Sequence, residues 1–439
     1  MGKKWVLYYI AMKHPLYILL LLMLGTTAWA QNDVLTIAGR VTCGSKGVPY
    51  ATLQLKGGFL GVSCNDDGSY ELKVPAGHEG DTVVIRSVGY EQTKVTVDRL
   101  LHNGNVRLKA QVVELQEVKV NSYRSGKQLI QDAVRHIDDN YQQQPAYSTF
   151  FYRDWRSLDG ELYLFDEAVI GVQRKGYAEY ARKMSYQFYS DEREMETNYK
   201  TLLRHRLLVY DRTLLESKVE KGDGVTIMMQ YADNELFFDP VATPEATLML
   251  ADRVLEKHAF WPIQEFLWDG ESYYLVRSVT PNKIYYEFTI RKSDLAIVRI
   301  TSTKKNTKAP APAEAWVNTY FNRLTIDIDT SSWTYDVRDG RYTLTHYYNN
   351  RSFRLSSSRQ GYKDETQQWQ ECVDWTLTDF TPGEINQQDI IAVKRQSIAS
   401  AFGESDYNTD FWGHYNSILI DSLPLRLLRE KLLNNDEME

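Results

Sequence analysis

Asp-Gly pairs at 67–68, 159–160, 269–270 and 339–340, each set between runs of alternating apolar and polar residues, constrain this chain most. Glycine accepts the positive φ of a tight two-residue reversal and aspartate tolerates it, so the pair joins antiparallel neighbours. Thr149–Arg156 returns as Glu161–Val172 across Asp159-Gly160. Phe266–Leu267 returns as Tyr273–Ser278 across Asp269-Gly270, and Trp333–Val337 as Tyr342–Tyr348 across Asp339-Gly340. With Ile284–Ile290 and Leu295–Ser302 added, these runs predict an extensive antiparallel sheet.

The stretch from Gly39 to Val97 writes a second, smaller β body. Ile37, Gly39 and Val41 alternate with Thr36, Ala38 and Arg40, so one face is apolar. Lys46-Gly47-Val48-Pro49 turns the chain into Ala51–Leu55, and Gly57-Gly58 turns it again. Asp66-Asp67-Gly68 reads as a hairpin, after which Tyr70, Leu72 and Val74 share a face before Pro75. Thr82–Ser87 and Thr93–Val97 supply the last strands. Short strands at this spacing predict a β-sandwich.

The series Gly39-x-Val41, Val48-Pro49-x-Ala51-x-Leu53, Gly61 through Asp67-Gly68-x-Tyr70 and Val88-Gly89-Tyr90 resembles the carboxypeptidase regulatory-like domain, a transthyretin-like sandwich. Cys64-Asn65 stands where that family usually has Thr-Asp, which changes one turn and leaves the fold expectation intact. The resemblance implies an exported protein of Gram-negative bacteria, notably Bacteroidota. It does not imply a peptidase, because the module accompanies the enzyme. None of the eight histidines has Glu three residues on, so a zinc peptidase site has no ligand pair. Asn65-Asp66-Asp67-Gly68 lacks the alternating oxygen ligands and bidentate Glu of a calcium loop. No metal and no cofactor is expected.

At 439 residues the chain exceeds one ordinary core. Lys3, Lys4 and Lys13, an apolar run from Leu16 to Leu24, and Ala28-x-Ala30 form an export signal over 1–30, cleaved after Ala30. Lys13-His14-Pro15 leaves the apolar run short of the ~20 residues a span needs. The net charge of −7 becomes more acidic once that lysine-bearing segment is removed, which argues against nucleic-acid partners. Cys43 and Cys64 either bridge two strands in an oxidising compartment or sit as two buried thiols. The 30 tyrosines suit a sheet with one wet face, or a stacking surface for sugars or peptides.

The predicted order is signal peptide 1–30, sandwich 31–112, linker 113–124 and a larger β-rich domain with packed helices over 125–439. The fold class is mainly β. Glu114–Val120 resembles the segment that follows the regulatory-like domain in TonB-dependent receptors, although too little chain remains for their barrel. Ser125–Gln142 is a helix with Leu129, Ile130, Ala133, Val134, Ile137 and Tyr141 on one stripe and Ser125 as its cap. Lys304–Ala315, rich in lysine and proline, reads as an exposed loop. Ile385–Phe402 and Leu425–Leu433 read as helices, and Asp410–Asn416 tucks aromatics into the core. Asp132-Ala133, Phe151-Tyr152-Arg153, Glu167-Ala168-Val169 and Phe411-Trp412-Gly413-x-Tyr415-Asn416 resemble the second half of Bacteroidota proteins that begin with this sandwich. The arrangement is also similar to the half-barrel of lipoprotein carriers, which gives fold and not function.

Trp261, Trp268, Tyr273, Tyr274, Tyr285 and Tyr286 form an aromatic concentration suited to lining a ligand groove, and packing against the helix explains them as well. His258 with Glu256 and Glu265 sketches an acid/base site, and Asp327 and Asp329 share a strand face as carboxylates. No catalytic residue is assigned. The sequence therefore points to a non-enzymatic envelope protein in the periplasm or at the outer membrane, binding an envelope protein or a hydrophobic or glycan ligand. The alternatives are a carrier of a hydrophobic ligand and a hydrolase with an unrecognised site.

Overall fold

The computed structural model describes residues 34–56, 61–87, 90–110, 116–117, 125–174, 176–177, 199–210, 239–242, 249–268, 270–310, 323–356, 366–383 and 408–436. The export signal, Gly57-Gly58, Val88-Gly89, Asp269 and the helix expected over 385–402 lie outside the described residues.

The first body holds β1 (Val34–Cys43), β2 (Lys46–Gly47), β3 (Thr52–Leu55), β4 (Gly61–Ser63), β5 (Ser69–Pro75), β6 (Thr82–Arg86), β7 (Thr93–Thr96), α1 (Val97–His102) and β8 (Val106–Arg107). One sheet runs β2-β1-β5 with β8 on β1, and the other runs β4-β3-β6-β7. Alternation drives this packing. Tyr70, Leu72 and Val74 of β5 point inward with Ile37, Val41, Leu53 and Ile85, while Glu71 and Lys73 face out. Gly39 is required where it stands, because a Cβ there would lie 2.1 Å from the Gly104 carbonyl oxygen.

The Asp66-Asp67-Gly68 turn differs from the hairpin expectation. β4 pairs with β3 and β5 pairs with β1, so the turn crosses between the sheets instead of joining two paired strands. Asn65 Oδ1 shapes it by accepting from the Ser69 (2.9 Å) and Asp67 (3.3 Å) backbone N–H groups.

The second body opens with β9 (Gln116–Glu117), α2 (Gly126–Arg135) and α3 (Ile137–Asn140). Its long strands are β10 (Ala146–Leu158), β11 (Glu161–Arg174) and β12 (Tyr199–Tyr210). After α4 (Asp252–Leu255) come β13 (Ala259–Phe260), β14 (Gln264–Trp268), β15 (Glu271–Val279), β16 (Ile284–Arg291), β17 (Ile297–Pro310), β18 (Arg323–Arg338), β19 (Arg341–Ser356) and β20 (Thr366–Pro382). The chain ends in α5 (Thr409–His414) and α6 (Ser422–Asp436). The sheet order is β12-β11-β10-β20-β19-β18-β17-β16-β15-β14-β9, antiparallel between neighbours and open at both ends, with β13 on β15. Asp159-Gly160 (φ 51° and 85°) and Asp339-Gly340 (φ 50° and 76°) make the expected reversals.

One register runs across most of this sheet. Val276, Phe288, Ile300 and Trp333 are successive partners on β15 to β18, and Tyr347, Trp375, Tyr152 and Ala168 continue the row on β19, β20, β10 and β11. All eight are buried. The next residue on each strand or its partner gives Arg277, Glu287, Thr301 and Ser332, then Tyr348, Asp374, Arg153 and Glu167, on the opposite face. A period of two thus writes one apolar and one polar face.

α2 covers the apolar face. Ser125 Oγ accepts from the Gln128 N–H at 3.3 Å, and Leu129, Ile130 and Ala133 are buried. A Cβ on Gly126 would meet Val276 at 2.8 Å, so the helix start lies directly on β15. Full burial of Leu129 and Ile130 contributes about 1.5–3 kcal/mol each. The helix breaks at His136 (φ −93°, ψ 9°) before α3, dividing the single helix expected over Ser125–Gln142.

Lys304–Pro310, expected as a loop, is the second half of β17. Lys304 pairs with Asp329, Thr307 with Ile326 and Lys308 with Thr325. Backbone pairing with β18 overrides the polar composition, and residues 311–315 lie outside the described set.

Candidate functional site

The polar face is covered on β11, β10, β20 and β19 by the carboxy-terminal strap, residues 408–436. Trp412 and Ile418 pack on Phe151 and Val169, and Leu427 packs with Trp155, Phe165 and Cys372. Arg153, the central charge under the strap, donates from Nε to Glu167 Oε1 at 2.7 Å. Its two terminal nitrogens donate to the Leu419 carbonyl at 3.2 Å and to the Ile418 carbonyl. Its guanidinium also lies 5.3 Å from the Phe151 ring centroid. A buried cation bonded in this way to two strap carbonyls fixes the path of the strap.

The strap also grips the sandwich. Asn416 Oδ1 accepts from the Lys73 N–H at 2.6 Å, and its Nδ2 donates to the Lys73 carbonyl at 2.8 Å. One side-chain amide therefore takes the place of a strand partner on β5, an edge of its sheet. At the turn, the Asp66 N–H donates to Asp421 Oδ1 at 2.9 Å. Ser422 returns two bonds to Asp66 Oδ1, from N–H at 3.0 Å and from Oγ at 2.9 Å. Tyr50 Oη donates to Asp421 Oδ2 at 3.3 Å, and its ring lies 6.2 Å from that of Tyr348. Tyr50 holds φ 55°, an unusual value for a bulky residue.

Where these groups meet, Tyr50, Arg153, Tyr348, Cys372, Asp374 and Asp421 enclose about 10 Å³ of free space, enough for one water. Burial pushes the Asp421 carboxyl above the ordinary Asp range; the Asp66 N–H pulls it back, and the Asp66 charge raises it further. Asp374 moves the other way. Burial opposes its charge, but His346 at 3.3 Å, with Arg153 and the Thr376 hydroxyl, holds it below the ordinary range. Burial also pushes the Cys372 thiol up, away from the thiolate that nucleophilic or redox chemistry needs. This arrangement is suited to holding two bodies together, and it has no room for an organic substrate.

The six aromatic residues expected to line one groove divide between faces. Tyr274 and Tyr286 share the parity of Val276 and Phe288 on the helix-covered face. Tyr285 lies on the opposite one, because neighbours in a strand point apart, whereas Tyr273 is buried in the same large core as Tyr274. Tyr273 stacks with Phe266 at 5.5 Å and meets Trp268 at 5.6 Å. Trp261 and Tyr285 stand open to water at 45% and 44% exposure, nearly parallel (28°) with centroids 6.3 Å apart. Beside them Arg277 donates to Glu287 Oε2 at 2.9 Å and to Gln264 Oε1 at 2.8 Å.

His258 is not joined to its acidic neighbours. It is buried, stacked on Tyr286 at 5.5 Å and bonded through Nδ1 to Ser278 Oγ at 3.1 Å. Glu256 faces Lys127, and Glu265 binds Lys292 at 3.0 Å. Asp327 is held by Arg354 at 2.6 Å, while Asp329 accepts from Asn349 at 3.1 Å. Cys43 and Cys64 are free thiols, in place of the disulfide weighed from the sequence. Cys64 is fully buried and its thiol is pushed up to about 12, chiefly by burial. Among the described residues no group of three or more His, Cys, Asp or Glu is placed to hold a metal ion.

The sequence reading missed Arg153, Asn416 and Asp421 as a unit. Their contacts join residues 265 to 355 positions apart, beyond the reach of any local pattern. The aromatic run around Trp412 was the one local sign of a docking segment.

Residues 37–120 match the CarboxypepD_reg-like domain, which agrees with the sandwich described above. No curated protein matches the chain. Among solved structures, a DUF1329 family protein from Desulfovibrio piger is similar at 10% identity and TM-score 0.22, covering 60% of this chain and 96% of its own. A LolA superfamily protein from Nitrosomonas europaea is similar at 7% identity and TM-score 0.18, covering 61% and 98%. A protein of unknown function from Bacteroides fragilis is similar at 11% identity and TM-score 0.13, covering 79% and 98%. At these scores the likenesses carry no argument.

Proposed function

We propose that this chain is an exported, non-enzymatic binding protein of the bacterial envelope, whose regulatory-like sandwich and large sheet act as one rigid interaction body. The observation that carries the reading is the strap, which binds the sandwich through Asn416, Asp421 and Ser422 and the sheet through Arg153. A rigid pair of modules presents fixed surfaces, and preorganisation of that kind favours binding. Export rests on Lys3, Lys4, Lys13, the apolar run and Ala28-x-Ala30, with cleavage after Ala30 and residence in the periplasm or at the outer membrane. The division into a sandwich over 31–112, a linker over 113–124 and a second domain over 125–439 belongs to the same proposal. So does the resemblance of the second part to β-rich domains of Bacteroidota. What weighs against a hydrophobic-ligand carrier is the apolar face, occupied by α2 and by buried Tyr141, Trp333 and Trp375.

The test is photo-crosslinking of the mature chain in envelope extracts, run beside hydrolysis assays on peptides and glycans. A discrete crosslinked partner or ligand, with no turnover, is the expected result. Turnover without capture overturns the reading, and acyl ligand in native mass spectra of the purified chain replaces it with the carrier.

A further inference from the structure

We infer that the open face of the sheet around Trp261 and Tyr285 is a binding subsite for a neutral glycan chain; the inference rests on the binding-protein reading and names its ligand class. The argument begins with exposure. The strap covers the polar face from β11 to β19, while Trp261, which follows β13 and bonds through its N–H to the Arg277 carbonyl of β15, and Tyr285 of β16 stand about half open to water. Large aromatic rings left exposed in a nearly parallel pair have a cost that scattered surface residues do not.

The neighbours select the occupant. A pyranose presents an apolar face of C–H bonds and a rim of hydroxyls that both donate and accept. Trp261 and Tyr285 offer flat π surfaces to the first. Arg277, Glu287 and Gln264 offer a donor and two acceptors to the second, already oriented by their own bonds at 2.8–2.9 Å. Arg277 and Glu287 remain 43% and 46% exposed at the side chain, so their remaining hydrogen-bonding capacity faces solvent beside the rings.

Other ligand classes fit less well. A peptide adding as a strand needs a free edge, and β15 and β16 are paired on both sides. A lipid chain needs a continuous apolar groove, which the Arg277–Glu287 pair interrupts. A polyanion meets Glu287 and a chain of net charge −7.

The experiment is isothermal titration calorimetry of the mature chain with chitohexaose, cellohexaose and maltohexaose, which separates β-linked amino sugar, β-linked glucose and α-linked glucose. The expected result is binding of at least one glycan at about millimolar affinity or better, unchanged by salt because the ligand is neutral. Trp261→Ala and Tyr285→Ala should each weaken it by about tenfold. Leu267→Ser, exposed on the other face of β14, should leave it unchanged. Unaltered circular dichroism in the aromatic variants keeps the comparison valid. No heat with any of the three glycans, equal affinity in the aromatic variants, or strong salt dependence overturns the inference. A Trp261→Ala/Tyr285→Ala chain that still captures an envelope partner would preserve the broader reading while this one fails.

Discussion

A carboxylate set into a seam between two packed bodies is charged at a cost, and Asp421 carries that cost in its raised pKa. Its folded value lies above the unfolded one, so its stabilising contribution is full below the ordinary Asp value of about 3.9. It is lost as pH rises through the raised value. Asp374, depressed by His346, behaves in the opposite sense: its contribution is present above the ordinary value and is lost as pH falls through the depressed one. Asp421→Asn keeps an acceptor for the Asp66 N–H while removing the buried charge. It should melt above the unsubstituted chain at about pH 7, with the gap closing towards about pH 4. Asp374→Asn should melt below it at about pH 7 and converge with it in acid. Thermal melts across pH decide the matter. A neutral-pH loss for Asp421→Asn would mean that its charge is net favourable where it stands.

At the scale of elements, the reversals are the part of the fold that the sequence states most directly. Asp339-Gly340 takes positive φ at both positions, and a Cβ on Gly340 would meet nothing within 4 Å. Gly340→Ala therefore tests backbone strain alone. It should cost about 1–2 kcal/mol, read as a lower urea midpoint; an unchanged midpoint would contradict the left-handed turn. The alternation around these turns was legible because one face of each strand meets a core and side chains repeat every two residues. Pairing between strands is less legible than exposure. Lys304, Lys305 and Lys308 look like a loop by composition, yet they lie on β17, where the backbone of β18 supplies partners regardless of side-chain type. The aromatic cluster shows the converse limit. Its residues are neighbours in sequence, but Tyr285 and Tyr286 face apart in a strand, while Tyr273, Tyr274 and Tyr286 are buried in the large core. Helix α2 was read from its stripe and its Ser125 cap, whereas its break at His136 interrupts an apolar stripe that continues through Ile137 and Tyr141 and so carries no periodic signal.

For the whole molecule, the question is whether two separate cores unfold as one. The sandwich core around Leu53, Tyr70 and Leu72 shares no residue with the large core around Leu129, Phe150 and Trp375. A sandwich of under a hundred residues, with its cysteines free, has a small stability margin alone. The strap supplies the coupling. Asn416 occupies the β5 edge, Asp66 and Asp421 bond across the seam, and Arg153 anchors the same segment to β10 and β11. Each of these bonds is worth about 0.5–1.5 kcal/mol net, so together they can make the sandwich's unfolding wait for the sheet's. Calorimetry of the mature chain should then give a single endotherm. Asn416→Ala with Asp421→Ala weakens the grip on the sandwich, sparing the Ser422–Asp66 bonds and those of Lys73 and Asn65 to strap carbonyls, and leaves Arg153, Trp412 and Leu427 on the sheet. The endotherm should split, with the sandwich melting first, because it has the smaller core. Hydrogen exchange should report the same order, with β5 amides losing protection before those of β10. A single endotherm at an unshifted midpoint in the double variant would mean that Asn416 and Asp421 do not carry the coupling, and would place it in the contact of Tyr50 with Tyr348 and the remaining strap bonds.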